Sequence, residues 1–197
     1  MFVLFFSALI WNIHRRFFLQ RILFCLPKII SKTTKQKHGK TNCSCGQCGN
    51  QIGNASWNTT RAEHKLAKDC KFTGNKDNVD DQRRLDKIDV YFKQAGELRF
   101  VPRAALVDLE LVSLDAIKAS PIGTMFKPDN FVNGASGAGT DWAKGHHTEG
   151  TELIDEVVDV FRKEAESYDC PQRFQITHSL GGGTGSGFRY IIINKNS

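Results

Sequence analysis

The residues with the clearest chemical purpose are Ser179 to Gly187, which read SLGGGTGSG. Five glycines, Gly181, Gly182, Gly183, Gly185 and Gly187, interleave with Thr184 and Ser186. Glycine lets backbone N–H groups come close to an anion, and a helix starting there adds the positive end of its dipole. The hydroxyls add donors. This is the chemistry of phosphate capture. It is not the Walker pattern, because no lysine follows, and its spacing is not the dinucleotide G-x-G-x-x-G. Two further glycine loops occur, GASGAG at 134–139 and GQCGNQIG at 46–53. Glu110, with Asp108 before it, is a carboxylate placed to hold Mg²⁺ against phosphates. By itself, each of these features also has a plainer reading, as a flexible loop or a solvated acid.

Such loops need a sheet to aim them. Short apolar runs alternate with longer helical stretches, as in α/β folds. Cys48 to Leu66 reads as a helix after a tight glycine turn, and Ala104 to Leu109 as a buried strand ending near Asp108 and Glu110. Ile88 to Phe92 alternates like a strand, and Leu114 to Ala119 reads as a short helix. Residues 69–86 are charged and read as a loop. Thr151 to Ser167 carries Leu153, Val157, Val160 and Phe161 at helical spacing, and Phe174 to Thr177 is a strand leading into the SLGGGTGSG run. Three glycine loops after strands place one site at the carboxyl edge of a parallel sheet.

Charge divides the chain. Of 197 residues, 40% are hydrophobic and 24% charged, a globular composition. The net charge of +6 comes from residues 1–41, which hold eight Lys and Arg and no Asp or Glu. The remainder is slightly acidic, so the folded part is not expected to bind nucleic acid. Residues 1–30 hold two apolar runs, each too short to span a membrane alone, and their charges follow the first run instead of preceding it. Residues 1–41 are therefore read as an atypical apolar and basic extension, with 31–42 as a linker, and 42–197 as the folded domain. Cys43, Cys45 and Cys48 form C-x-C-x-x-C, with His38 and His64 nearby, which leaves zinc as an alternative. The six cysteines are read as reduced. Trp57 and Trp142 are expected to be packing residues, and His178 a hydrogen-bonded histidine before the glycine run.

Taken in order, GQCGNQIG, VPRAALVDLE, FKPDNFV, SGAG, WAKGHHTEG, RKEAESYDC and SLGGGTGSG resemble the beta-tubulin family, from about Gly46 to Lys195. The resemblance implies a truncated tubulin-type, Rossmann-like nucleotide-binding domain. It implies GTP or GDP with Mg²⁺, and Gln47 and Cys48 near the phosphates. Gln47 and Glu110 would help to hold the metal. Ala138, Gly139 and Thr140 would form a second phosphate loop, and Ser179, Gly182, Gly183, Thr184 and Gly185 would wrap the diphosphate. It also implies a cytoplasmic, microtubule subunit partnered by alpha-tubulin. The neighbouring subunit completes GTP hydrolysis there, so no catalytic residue is assigned within this chain.

The chain departs from the pattern in several places. KQKHGKTNCSC stands where the family's first strand should be and lacks an alternating apolar run, so the sheet is expected to miss a strand. Leu111 and Val112 replace Pro-Gly, and Thr140 and Asp141 replace an Asn pair. Asp141 is expected to weaken phosphate binding by about 1 kcal/mol. The chain ends at Ser197, inside the helix that follows the glycine run, so the segments that read base and ribose are expected to lie outside it. The alternatives are a truncated product without function and a membrane-tethered nucleotide-binding protein.

Overall fold

The computed structural model describes residues 38–168 and 170–195. The extension expected over residues 1–41 therefore lies almost wholly outside the described residues. Among those described, no helix is long and apolar enough to cross a membrane.

A four-stranded parallel sheet forms the centre. Its strands are β1 (His38–Cys45), β4 (Ala104–Asp108), β5 (Phe131–Asn133) and β6 (Cys170–Thr177), in the order β5-β4-β1-β6. A separate antiparallel hairpin pairs β2 (Phe92–Gly96) with β3 (Arg99–Pro102). The helices are α1 (Gly46–Glu63), α2 (Val79–Lys87), α3 (Val112–Lys118), α4 (Trp142–His147), α5 (Glu149–Glu166) and α6 (Arg189–Lys195).

Alternation along β4 explains the layers. Ala104 and Leu106 point to one face, where they meet Trp57 of α1, Leu114 and Ile117 of α3, and Phe92 and Phe100 of the hairpin. Ala105 and Val107 point to the other, where they meet Leu153, Ile154, Val157 and Phe161 of α5 and Ile191 and Ile192 of α6. A strand buried on both faces needs apolar residues at every position, and AALVD nearly supplies them. Each large side chain buried here stabilises the fold by about 1.5–3 kcal/mol. Trp57 is a packing residue, as expected, edge-on to Phe92 and Phe126.

The structure corrects the expectation of a missing first strand. HGKTNCSC is a strand, and it lies inside the sheet between β4 and β6. The supposed linker therefore ends before His38. The reason is volume. Gly49 and Gly53 bring α1 so close that a methyl on Gly53 would sit 2.0 Å from Ser44 Oγ, and one on Gly49 would sit 2.2 Å from the Thr177 carbonyl. Ser44 fits under that helix, Cys43 and Cys45 turn to the opposite face against α5 and α6, and Thr41, Cys43, Ser44 and Cys45 are all buried. Thr41 bonds the Tyr168 hydroxyl at 2.7 Å, which satisfies its own.

Two other expectations change. The charged stretch 69–86 contains most of α2, whose sequence VDDQRRLDK holds only two apolar residues, Val79 and Leu85. Local chemistry supports it instead. Asn78 caps the start by accepting the Asp80 N–H at 3.0 Å, acids sit in the first turn, and Arg84 and Lys87 sit in the last. Ile88 to Val90 is a 3-10 turn, and the strand begins only at Phe92.

Candidate functional site

All four sheet strands run the same way, so their carboxyl ends share one edge. The chain moves outward from β1 through β4 to β5, then crosses to β6 on the other side of β1. Loops that leave β1 and β6 diverge at that reversal, and a crevice opens between them.

A cleft of about 260 Å³ lies at this edge. The first turn of α1, directly after β1, contributes Gly46, Gln47 and Cys48, and the end of β4 with the residues after it contributes Asp108 and Glu110. Gly137, Ala138 and Gly139 come from the loop after β5, and Ser179, Gly181, Gly182, Thr184 and Gly185 from the loop after β6. Whole-ligand pockets commonly hold about 300–1,000 Å³, so this cleft has the size for the charged end of a ligand and a cation.

Nine of the eleven residues singled out from the sequence line the cleft: Gln47, Cys48, Glu110, Ala138, Gly139, Ser179, Gly182, Thr184 and Gly185. Thr140 does not. It is exposed, beside Asp141. Gly183 does not line it either, and its role is to join two loops. Its N–H donates to the Gly139 carbonyl at 2.7 Å. A methyl on Gly183 would collide with the Asp141 carbonyl at 2.4 Å and with Ala138 Cβ at 2.5 Å. Gly46, Gly137 and Gly181 also line the cleft, all three within loops visible as glycine-rich in the sequence.

The donors are backbone groups. An α-helix leaves its first N–H groups without internal partners. In α1 no acid sits in the first turn, and the Cys45 side chain makes no capping bond. After β6 the chain enters a wide, π-type turn, Gly183–Phe188, in which the Arg189 N–H reaches back to the Thr184 carbonyl. This turn also has no capping side chain and no acid at its start. Gly182 enters it at φ +80°, a left-handed conformation natural to glycine. Two elements thus begin at the cleft with their N–H ends unclaimed by side chains, which is a ready anion site.

The charged side chains that line the cleft are acids. Glu110 is exposed, and Gly137 leaves room for it, since a methyl there would meet Glu110 Oε2 at 2.7 Å. Asp108 is buried and accepts from the Ser113 hydroxyl. Burial raises its pKa, against the opposing effects of that hydroxyl and of the Glu110 and Leu109 N–H groups. Among the described residues, no lysine or arginine lines the cleft. Oxygen donors beside an anion site suit a hard divalent cation shared with phosphates.

Asp141 has a different use from the one expected. Its Oδ1 accepts the N–H groups of Ala143 at 2.8 Å and Lys144 at 3.3 Å, capping α4. Trp142 is also corrected. It is 44% exposed, and stacks on His146 with ring centroids 4.5 Å apart. His178 is half-buried and has Nδ1 2.7 Å from the Ser179 carbonyl.

The zinc set is not brought together. Cys43 and Cys45 are buried, and burial pushes the Cys43 thiol up to about 12 and that of Cys45 well above its ordinary value. Cys48 is in the first turn of α1 and His64 is its C-cap, roughly 24 Å away at about 1.5 Å per residue. Among the described residues, no group of three or more His, Cys, Asp or Glu could hold a metal by itself.

Residues 41–196 match the Tubulin/FtsZ family, GTPase domain. This chain belongs to that family. Within the family, its similarity is to beta chains. Over 150 residues, 76% of this chain, it is 54% identical to a tubulin beta-1 chain of Hypocrea rufa and 55% identical to a tubulin beta chain of Trichophyton rubrum. It is 53% identical over the same length to a tubulin beta chain of Encephalitozoon cuniculi. The tubulin-family chain described here spans about a third of the length of these relatives, 32–33%. The fold expected from the resemblance, an α/β GTPase domain around a parallel sheet, is the one observed.

Proposed function

We propose that this cleft holds the phosphates of a guanine nucleotide with Mg²⁺, in a beta-tubulin-like cytoskeletal GTP-binding protein. One observation carries the reading. Four parallel strand ends deliver four loops to a single cleft, where backbone donors meet two carboxylates and no cationic side chain. A polyanion entering such a place needs a positive partner of its own, and Mg²⁺ bound to phosphate oxygens supplies it. The guanine preference follows from the family and not from the cleft.

In this reading the loop Ser179 to Gly185 wraps the diphosphate, and Ala138 and Gly139 close over it from the other side. Thr140 follows Gly139 but is exposed and does not line the cleft. Glu110 and the Gln47 amide orient the hydrated cation, and Cys48 flanks the phosphates from the first turn of α1. The domain is residues 42–197, extended forward by the first residues of β1, with residues 1–37 as a separate extension. Residues in this chain bind and position; the chemistry of hydrolysis is completed by a neighbouring subunit, with alpha-tubulin as the partner.

The test is titration of the full chain with fluorescently labelled GTP. Saturable binding that depends on Mg²⁺, is displaced by GDP and not by ATP, and weakens in Glu110→Gln is the expected result. Binding that ignores Mg²⁺, or none at all by the folded protein, overturns the reading.

A further inference from the structure

Cys45-Gly46-Gln47-Cys48 is a C-x-x-C sequence at the point where β1 becomes α1. We infer that Cys45 and Cys48 form a redox pair, closing to an intramolecular disulfide that disables the phosphate cleft. The disabling half rests on the function proposed above; the disulfide itself does not.

The two thiols differ in the way such a pair requires. Cys48 is exposed and lines the cleft, so it meets an oxidant first. Cys45 is buried at the adjoining strand end, three residues earlier, with a glycine at φ +76° between them. It is the N-cap residue of α1, and Cys48 is the third residue of the helix. A C-x-x-C at a strand-to-helix junction is the spacing at which two cysteines reach one another across a helix's first turn. The third cysteine nearby, Cys43, shares its strand face with Cys45 and is as deeply buried, but it lies two residues further back along β1 from the start of α1.

Cys45 also touches the other half of the cleft. Its Sγ is 3.8 Å from the Thr184 carbonyl, to which the thiol donates. Forming the disulfide removes that proton and turns the sulfur toward Cys48. The contact between the β1 end and the Gly183–Phe188 turn is then lost, and Cys48 is drawn across the N–H groups of the first turn.

The chemistry balances with a small disulfide as oxidant, such as oxidised glutathione. The Cys48 sulfur attacks one sulfur of that disulfide, forming a mixed disulfide and releasing one reduced glutathione, which carries the Cys48 proton. The Cys45 sulfur then attacks Cys48 Sγ, and the second glutathione leaves with the Cys45 proton. The protein loses two hydrogens, and the oxidant gains them.

The experiment incubates the full native chain with oxidised glutathione, quenches by alkylation, and analyses the peptide spanning Thr41 to Arg61 by mass spectrometry. The expected product is that peptide two hydrogens lighter, also in Cys43→Ser. Cys45→Ser should instead trap glutathione on Cys48, and Cys48→Ser should yield neither product. A lighter peptide that survives in Cys48→Ser, or glutathione retained on wild-type Cys48, overturns the pairing. The same samples are titrated with labelled GTP. Oxidised wild type should bind at least about tenfold more weakly, with affinity restored by dithiothreitol and unchanged by the oxidant in Cys45→Ser/Cys48→Ser. Unchanged affinity in the oxidised, disulfide-mapped protein overturns the switch. If reduced wild type binds no nucleotide, the function proposed above fails, and the peptide masses still decide the pairing.

Discussion

Two of the places among the described residues that receive negative charge differ in who supplies it. Around Asp81 the chain supplies its own. That carboxylate is 1% exposed, bonded by Lys65 at 2.9 Å, by Arg84 at 2.5 Å and by the Asn75 N–H at 3.0 Å. Hydrogen bonding from Lys65 is the main cause of its lowered pKa. At the sheet edge, backbone donors are gathered and no side chain of the chain claims them, while the acids present sit to one side. The closed arrangement stabilises a loop and the start of α2. The open one is left for a ligand. On the proposed function, cationic side chains mark the structural anion and bare backbone marks the ligand's.

Substitutions can break or sharpen this contrast. The largest effect is expected from Gly183→Ala, which puts a methyl into the seam between the two phosphate loops. Overpacking of that kind costs about 1–3 kcal/mol, and labelled-GTP binding should fall with it; a normal Tm and affinity would show that the seam is not rigid. Glu110→Gln should come next. It should lower affinity about tenfold in Mg²⁺ and much less in EDTA, with thermal stability unmoved.

Asp141→Ala removes the cap of α4 at a cost of about 1 kcal/mol, read by urea denaturation. Its effect on nucleotide affinity should be small, because the carboxylate is already engaged with Ala143 and Lys144. A large gain in affinity would instead return Asp141 to the role of a repelling charge.

The smallest effect, and the one that tests the closed site, is Asp81→Asn. Because the folded pKa is lowered, the contribution of Asp81 is complete above the ordinary carboxylate value of about 3.9 and is lost as pH falls through the lowered pKa. Wild type should therefore be the more stable at neutral pH, and the two proteins should converge in acid. Nucleotide affinity should be equal in both. An Asp81→Asn protein that loses GTP binding would erase the distinction between the two sites.

Much of the site was legible because it is made of residues with few alternative uses. Glycines at 181, 182, 183, 185 and 187, placed after FQIT, speak for a backbone-lined turn whatever the rest of the chain does. AALVD was legible as a strand buried on both faces, and Leu153, Val157 and Phe161 as one helical face. β1 is not legible, because its burial is achieved with hydroxyls and thiols, Ser44 beneath Gly53 of α1 and Cys43 and Cys45 against α5 and α6. A rule that seeks alternating large apolar residues passes over such a strand. α2 was missed for a related reason: its support is an Asn cap and charges, which a hydrophobic pattern does not register. The hairpin β2–β3 is not legible because FKQAG is mostly exposed and polar beyond Phe92 and offers no alternating apolar run. For Asp141 and Gly183 the sequence shows the neighbourhood, and only coordinates show that one caps a helix and the other fastens two loops.

The bond from the Gly183 N–H to the Gly139 carbonyl has a kinetic consequence. Because one short link ties the loop after β5 to the loop after β6, the two cannot open separately. Ordering entropy that a free pair of loops would surrender on meeting its guest is already lost in the empty fold. On the proposed function, loosening this one link should show first as a faster escape of the nucleotide and not as slower capture.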